Sequence, residues 1–254
     1  MKIAGFCSSH DCSYCILEDG IPIVHNELER FIREKEPMGD GFQFMIDSGE
    51  NLDEIKHFTH CFDTWNGGIE IRFPESFERM QGIVEKNDGE YHIPGHHESH
   101  AANAFFSSNY DESLIITADG GGRDYDPSGK MIITTFTVWE GKGNKISAVD
   151  IINYGELNIG YVWSSTIGEV FGLSTGHPKG NQAGTVMAMA CMGEPKYVDH
   201  FLNTGLRPSA GLDFGYLKGI ADRSERDAFD VAASLQKATE IKIGRYLKIK
   251  NEKE

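Results

Sequence analysis

Residues Leu114–Asp124 read LIITADGGGRD, an apolar run that meets a carboxylate and then three glycines. Leu114–Ala118 suits a buried strand, and the glycines suit a strand-exit turn in which the backbone comes close to a ligand. Strands are predicted next at Met131–Trp139 and Ile146–Ile152, joined by a turn over Gly141–Asn144. The same order occurs at the start of the chain. A strand over Lys2–Cys7 runs into the turn Ser8-Ser9-His10-Asp11, followed by strands over Ser13–Leu17 and Ile21–Asn26. The intervening Glu18-Asp19-Gly20 is a hairpin signal. A β-rich unit that opens strand–turn–strand therefore occurs twice. This predicts a two-lobed α/β protein with a cleft between the lobes, where turn N–H groups can hold an anion.

Helices punctuate and follow these units. Glu27–Lys35 (ELERFIREK) suits a short charged helix or a loop, and a short helix is predicted over residues 42–48. Ile55–Phe62 reads as a strand and residues 74–86 as a helix. Pro94 and Gly95 break the chain before a helix of about three turns that starts at His96. After residue 155 the character turns helical, with helices predicted over Gly160–Phe171, Ala183–Cys191, Tyr197–Leu202 and residues 225–249, ahead of the charged tail NEKE. Two units follow: residues 1–111 as a first lobe carrying the His96 helix, and residues 112–254 as a partial second lobe.

Composition narrows the function classes. Thirty-nine acidic residues against 24 basic ones give a net charge of −15, which opposes binding to nucleic-acid phosphates. No apolar run reaches the ~18 residues of a membrane helix, and the N-terminus lacks a signal-peptide core. Five cysteines, an odd number without a disulfide framework, suit a reducing cytoplasm. Cys12 and Cys15 form a C-x-x-C, but in a strand context that does not activate thiols.

Four constellations carry chemistry. In His96-His97-Glu98-Ser99-His100, a helix places His96 and His100 on one face, one turn apart, where two imidazoles can share a divalent metal. Asp119 at the end of an apolar strand is a third ligand candidate; the bland alternative is a pair of solvated surface histidines. Gly120, Gly121 and Gly122 can cradle an anion, or merely serve a flexible turn. In the 8–11 turn, His10 can act as a general base, since histidine titrates near neutral pH, or the turn's polar groups can simply satisfy one another. Lys35 can neutralise an anionic substrate, or belong to a solvated charged helix.

In this order, the pieces resemble the carbamoyltransferases of the nodulation and antibiotic-biosynthesis type. GFCSSHDCSYCILEDG (5–20), ELERFIREK (27–35), GHHESHAANAFFSS (95–108) and LIITADGGG (114–122) are similar to that family's successive motifs, as are NIGYVWSSTIGEVFG (158–172) and VMAMACMGEPKYVD (186–199). The resemblance implies an actin-like ATPase (ribonuclease H-like) duplicated fold with an incomplete second lobe. It implies an iron-like divalent metal, with manganese or zinc as alternatives, on His96, His100 and Asp119. It implies carbamoyl phosphate and ATP as sources of a carbamoyl-adenylate donor, and a small-molecule hydroxyl as acceptor. His10 matches the proton acceptor and Lys35 a donor contact, while residues 120–122 would lie near the adenylate phosphate. Gln182–Thr185 and Ala188 depart from the family pattern. Its adenosine-binding segment, a further metal-ligand aspartate and the domain that makes carbamoyl-adenylate are not in this sequence, which implies a missing C-terminal domain or a partner protein. Two other functions stay open: a non-catalytic binding or regulatory module of the same fold, and a related ATPase or kinase.

Overall fold

The computed structural model describes residues 1–61, 68–204, 206–207 and 211–251. Phe62, the expected end of the fourth strand, and most of the NEKE tail lie outside the described residues.

The first lobe is built on a five-stranded sheet. Its strands are β1 (Lys2–Cys7), β2 (Ser13–Glu18), β3 (Ile21–Glu27), β4 (Ile55–His60) and β5 (Glu90–His92), in the order β3-β2-β1-β4-β5. The first three form an antiparallel meander, and β4 and β5 run parallel to β1. This is the ribonuclease H-like order that the resemblance implies for one lobe. Helices α1 (Leu28–Ile32), α2 (Gly41–Asp47), α3 (Ile69–Arg72) and α4 (Pro74–Lys86) accompany it. Burial alternates along β1 and β2, so Ala4, Phe6, Tyr14 and Ile16 join Phe42, Met45, Phe58 and Met80 in one core. Pro74 opens α4, where its missing N–H costs nothing.

The second lobe repeats the meander with β6 (Glu112–Tyr125), β7 (Met131–Lys142) and β8 (Lys145–Asn153), in the order β6-β7-β8. Among the described residues this sheet has three strands. In chain order α5 (His96–Phe106) stands between β5 and β6; its buried Ala101 and Phe105 pack on Ile115 and Trp139 of the second sheet. Downstream come α6 (Ile159–Ser165), a π-helical turn at Thr166–Val170, a small hairpin of β9 (Thr175–Gly176) and β10 (Gly180–Asn181), α7 (Ala183–Met192), α8 (Val198–Asn203), α9 (Phe214–Ala221) and α10 (Glu225–Asn251). Val231, Ala232, Leu235 and Ala238 of α10 enter a core shared with Phe136, Val162, Val186 and Leu217.

One local expectation is corrected. Asp119 does not end its strand, and Gly120–Gly122 do not form an exit turn. The strand runs 14 residues in all and continues to Tyr125, with a register shift between Ala118 and Gly122. Asp119, Gly120 and Gly121 form a bulge between paired Ala118 and Gly122, and Gly121 takes a φ of 154°, a conformation that side chains disfavour. Pairing with the 12-residue β7 keeps β6 extended through them. Inward positions switch from Ile115 and Thr117 before the bulge to Gly122 and Asp124 after it.

Candidate metal centre and cleft

The bulge aims Asp119 at the N-terminal turn of α5. His96 Nε2 lies 2.7 Å from Asp119 Oδ2. His100 Nε2 lies 3.2 Å from His96 Nε2 and 3.6 Å from the same carboxylate oxygen. Two imidazole nitrogens and one carboxylate oxygen thus converge on one small volume. Ligands about 2.1 Å from a tetrahedral ion stand about 3.4 Å apart, so these separations suit one ion after small adjustments.

The chain holds this geometry by satisfying the open end of α5. Asp124, 4% exposed, accepts hydrogen bonds from the His97 and Glu98 backbone N–H groups at 3.1 Å each. Glu98 in turn accepts from Gly95 N–H at 3.1 Å. A strand carboxylate therefore caps the helix that carries the histidines. Gly122 lets the two approach: a Cβ there would stand 2.3 Å from the His96 ring. Buried His97 sits 2.9 Å from the Thr117 hydroxyl, which donates to the Thr137 carbonyl and accepts from Trp139 Nε1. His97 Nδ1 is thus the donor, its other nitrogen has no partner among the described residues, and burial lowers its pKa. Asn158, fully buried, accepts from Tyr161 N–H at the start of α6 and donates to the Gly120 carbonyl at 2.9 Å.

Replacing Asp124 with alanine leaves two backbone N–H groups and the Thr134 hydroxyl without their acceptor. We expect a loss of about 2–4 kcal/mol in denaturant unfolding, together with weaker metal uptake.

Electrostatics bind the trio together. Burial alone would lower the His96 pKa, but the Asp119 and Cys61 contacts outweigh it and push it up to about 10. Burial opposes ionisation of Asp119; hydrogen bonds from His100, His96 and the Gly120 N–H overcome it and hold the carboxyl well below the usual range. A histidine whose pKa is raised on folding stabilises the folded chain fully below its unfolded value of about 6.5. That stabilisation is lost as pH rises through about 10. The ion-free chain should therefore melt at progressively lower temperature across this window. Metal-saturated protein, whose His96 is already deprotonated, should hold its melting temperature better there.

The trio lies in a cleft of about 530 Å³, which Ser9, His10, Gly120, Gly121 and Tyr161 also line. His10 comes from the first-lobe turn, and its Nδ1 lies 2.7 Å from Asp11 Oδ2. Asp11 reaches this position from a left-handed backbone, φ 57°. Ser8 instead accepts from Gly41 N–H at 2.9 Å and serves the turn. Gly120 N–H donates to Asp119 Oδ1 at 2.6 Å, and Gly122 lies under His96 instead of facing the cleft. Lys35 lies outside the cleft lining, 2.9 Å from Glu29 Oε1 in an ion pair. Burial pushes the Cys12 thiol up to about 12, the opposite of an activated C-x-x-C.

Reasoning from sequence missed Asp124 and Asn158. Asn158 carries a usable signal, an asparagine directly before a helix. Asp124 carries none while the glycines are read as a turn.

No family model matches the chain. It is 29% identical over 170 residues to the uncharacterized protein sll1178 of Synechocystis sp., a match covering 57% of this chain and 25% of that protein. The chain thus matches about a quarter of the length of that curated relative. Among solved structures it overlaps YeaZ from Pseudomonas aeruginosa at 8% identity and a TM-score of 0.37, covering 61% of this chain and 69% of that one. It also overlaps HypF from T. kodakarensis at 14% identity and a TM-score of 0.41, covering 92% and 29%. The fold assignment rests on the strand order, not on these overlaps. No described helix is long and apolar enough to cross a membrane.

Proposed function

We propose that this chain is the metal-bearing part of an O-carbamoyltransferase. The observation that carries it is the convergence of His96, His100 and Asp119 in a cleft that His10 also lines. The donor set fits a divalent ion such as iron, manganese or zinc: two imidazoles and a carboxylate, with Cys61 beside His96 Nδ1 and the Gly120 N–H on Asp119 Oδ1. His96 Nε2, His100 Nε2 and Asp119 Oδ2 would hold it. When bound, such an ion supplies Lewis acidity toward the donor's oxygens.

The chain's own residues supply the rest. Asp11 accepts the Nδ1 proton of His10 and leaves Nε2 as the ring's basic atom. The acceptor hydroxyl oxygen bonds to the carbamoyl carbon of carbamoyl-adenylate. The bond from that carbon to the phosphate oxygen breaks, AMP departs, and the hydroxyl proton passes to His10. Gly120 and Gly121 let the donor come close to the bulge, where no side chain intervenes. Lys35, held by Glu29, is left out of this site.

The test supplies carbamoyl-adenylate directly to iron-loaded or zinc-loaded chain with a panel of polyhydroxylated acceptors. A carbamate ester and AMP are the expected products, seen by mass spectrometry. Metal-loaded chain that yields neither, with acceptors spanning sugars and aminocyclitols, would overturn the assignment and favour a binding module of the same fold.

A further inference from the structure

The outer edge of the first sheet gathers a second set of metal-binding donors, away from the cleft lining. β4 and β5 pair in parallel, with His57 opposite Glu90 and Thr59 opposite His92. Side chains two apart on a strand share a face, so Glu90 and His92 stand beside His57 on one side of the sheet. His57 Nδ1 lies 3.2 Å from His92 Nε2, and that nitrogen lies 3.6 Å from Glu90 Oε2. All three donor atoms fall within 4.8 Å of one another. The two rings stack with centroids 5.5 Å apart. Glu90 and His92 are exposed, and His57 is half-buried.

We infer that His57, Glu90 and His92 form a second site, for a first-row divalent transition ion of the zinc, nickel or copper class. Two imidazoles with one carboxylate select these ions over magnesium and calcium, which prefer all-oxygen shells. Separations of 3.2 and 3.6 Å bracket the roughly 3.4 Å between neighbouring ligands around tetrahedral zinc. Water completes the shell on the open side. The other account of the pair is one shared imidazole N–H, a contact that gains little beside solvent.

The site's consequence follows from the chain. The β4–β5 ladder has three residue pairs, so β5 is a lightly held edge strand. An ion on His57 and His92 cross-links it to β4. β5 leads through residues 93–95 into α5, whose first residue is His96. Fastening β5 therefore fixes the approach to the helix that lines the cleft, without contacting the cleft. This inference stands independently of the carbamoyl-transfer reading.

The experiment is calorimetric titration of the chelator-stripped full chain with zinc or nickel alone. Wild type should bind two equivalents. His57→Asn with His92→Asn should bind one, and His96→Ala with His100→Ala should also bind one, at the edge. Should the double edge variant lose its native circular dichroism, His92→Asn alone serves, since that side chain is exposed; its edge affinity should fall more than tenfold. Edge variants that bind as many equivalents as wild type, at wild-type affinity, would overturn the second site.

Discussion

Alanine at both His96 and His100 is expected to strip the cleft of its ion and to abolish carbamoyl transfer. The two imidazoles and Asp119 Oδ2 supply all three converging donor atoms of this group. A lone carboxylate on an open wall does not retain a transition ion against a chelator, because affinity in such sites grows with the number and type of donors. Loss of Lewis acidity worth several kcal/mol lowers the rate on the order of a thousandfold or more. The measurement is metal content after reloading, made in the His57→Asn, His92→Asn background so that the edge site adds nothing. Asp119→Asn separates charge from position: it keeps an oxygen in place but removes the anion that draws His96 to it. Its affinity should fall less than that of the double histidine variant. Undiminished metal at the cleft of the double variant would end the assignment.

The histidine pair was legible because it depends on one local rule, that positions four apart on a helix share a face. Pro94 and Gly95 marked where that helix begins. The doubled meander was legible for a similar reason, because both copies announce their hairpins with short turn signals between apolar runs. What surrounds the metal trio was less legible. A run of three glycines signals a turn, yet pairing to β7 holds this one inside a strand. Asp124 becomes a helix cap only because the strand continues past the bulge and turns residue 124 inward. β5 escaped notice because three residues carry no periodicity, and its partner β4 lies 30 residues earlier. Non-local pairing decided each of these cases.

His10 should account for the proton transfer, and its replacement separates a working base from a turn residue. We expect His10→Ala to lower the transfer rate by about 10²- to 10⁴-fold, the usual range for a positioned general base. Metal content should stay unchanged, because His10 belongs to the first-lobe turn and is not one of the converging ligands. Binding of the donor should change little, since the base is needed when the proton moves. Asp11→Asn tests the positioning: an amide can accept the Nδ1 proton but does not stabilise the imidazolium that forms, so a smaller loss is expected. A structural role makes a different forecast, in which His10→Ala lowers the melting temperature and leaves the transfer rate of the folded chain intact. The exposure of His10, 66% of its side chain, argues against that outcome, because so open a ring contributes little packing. Full transfer activity in a folded, metal-loaded His10→Ala chain would remove the base from the scheme while leaving the metal centre in place.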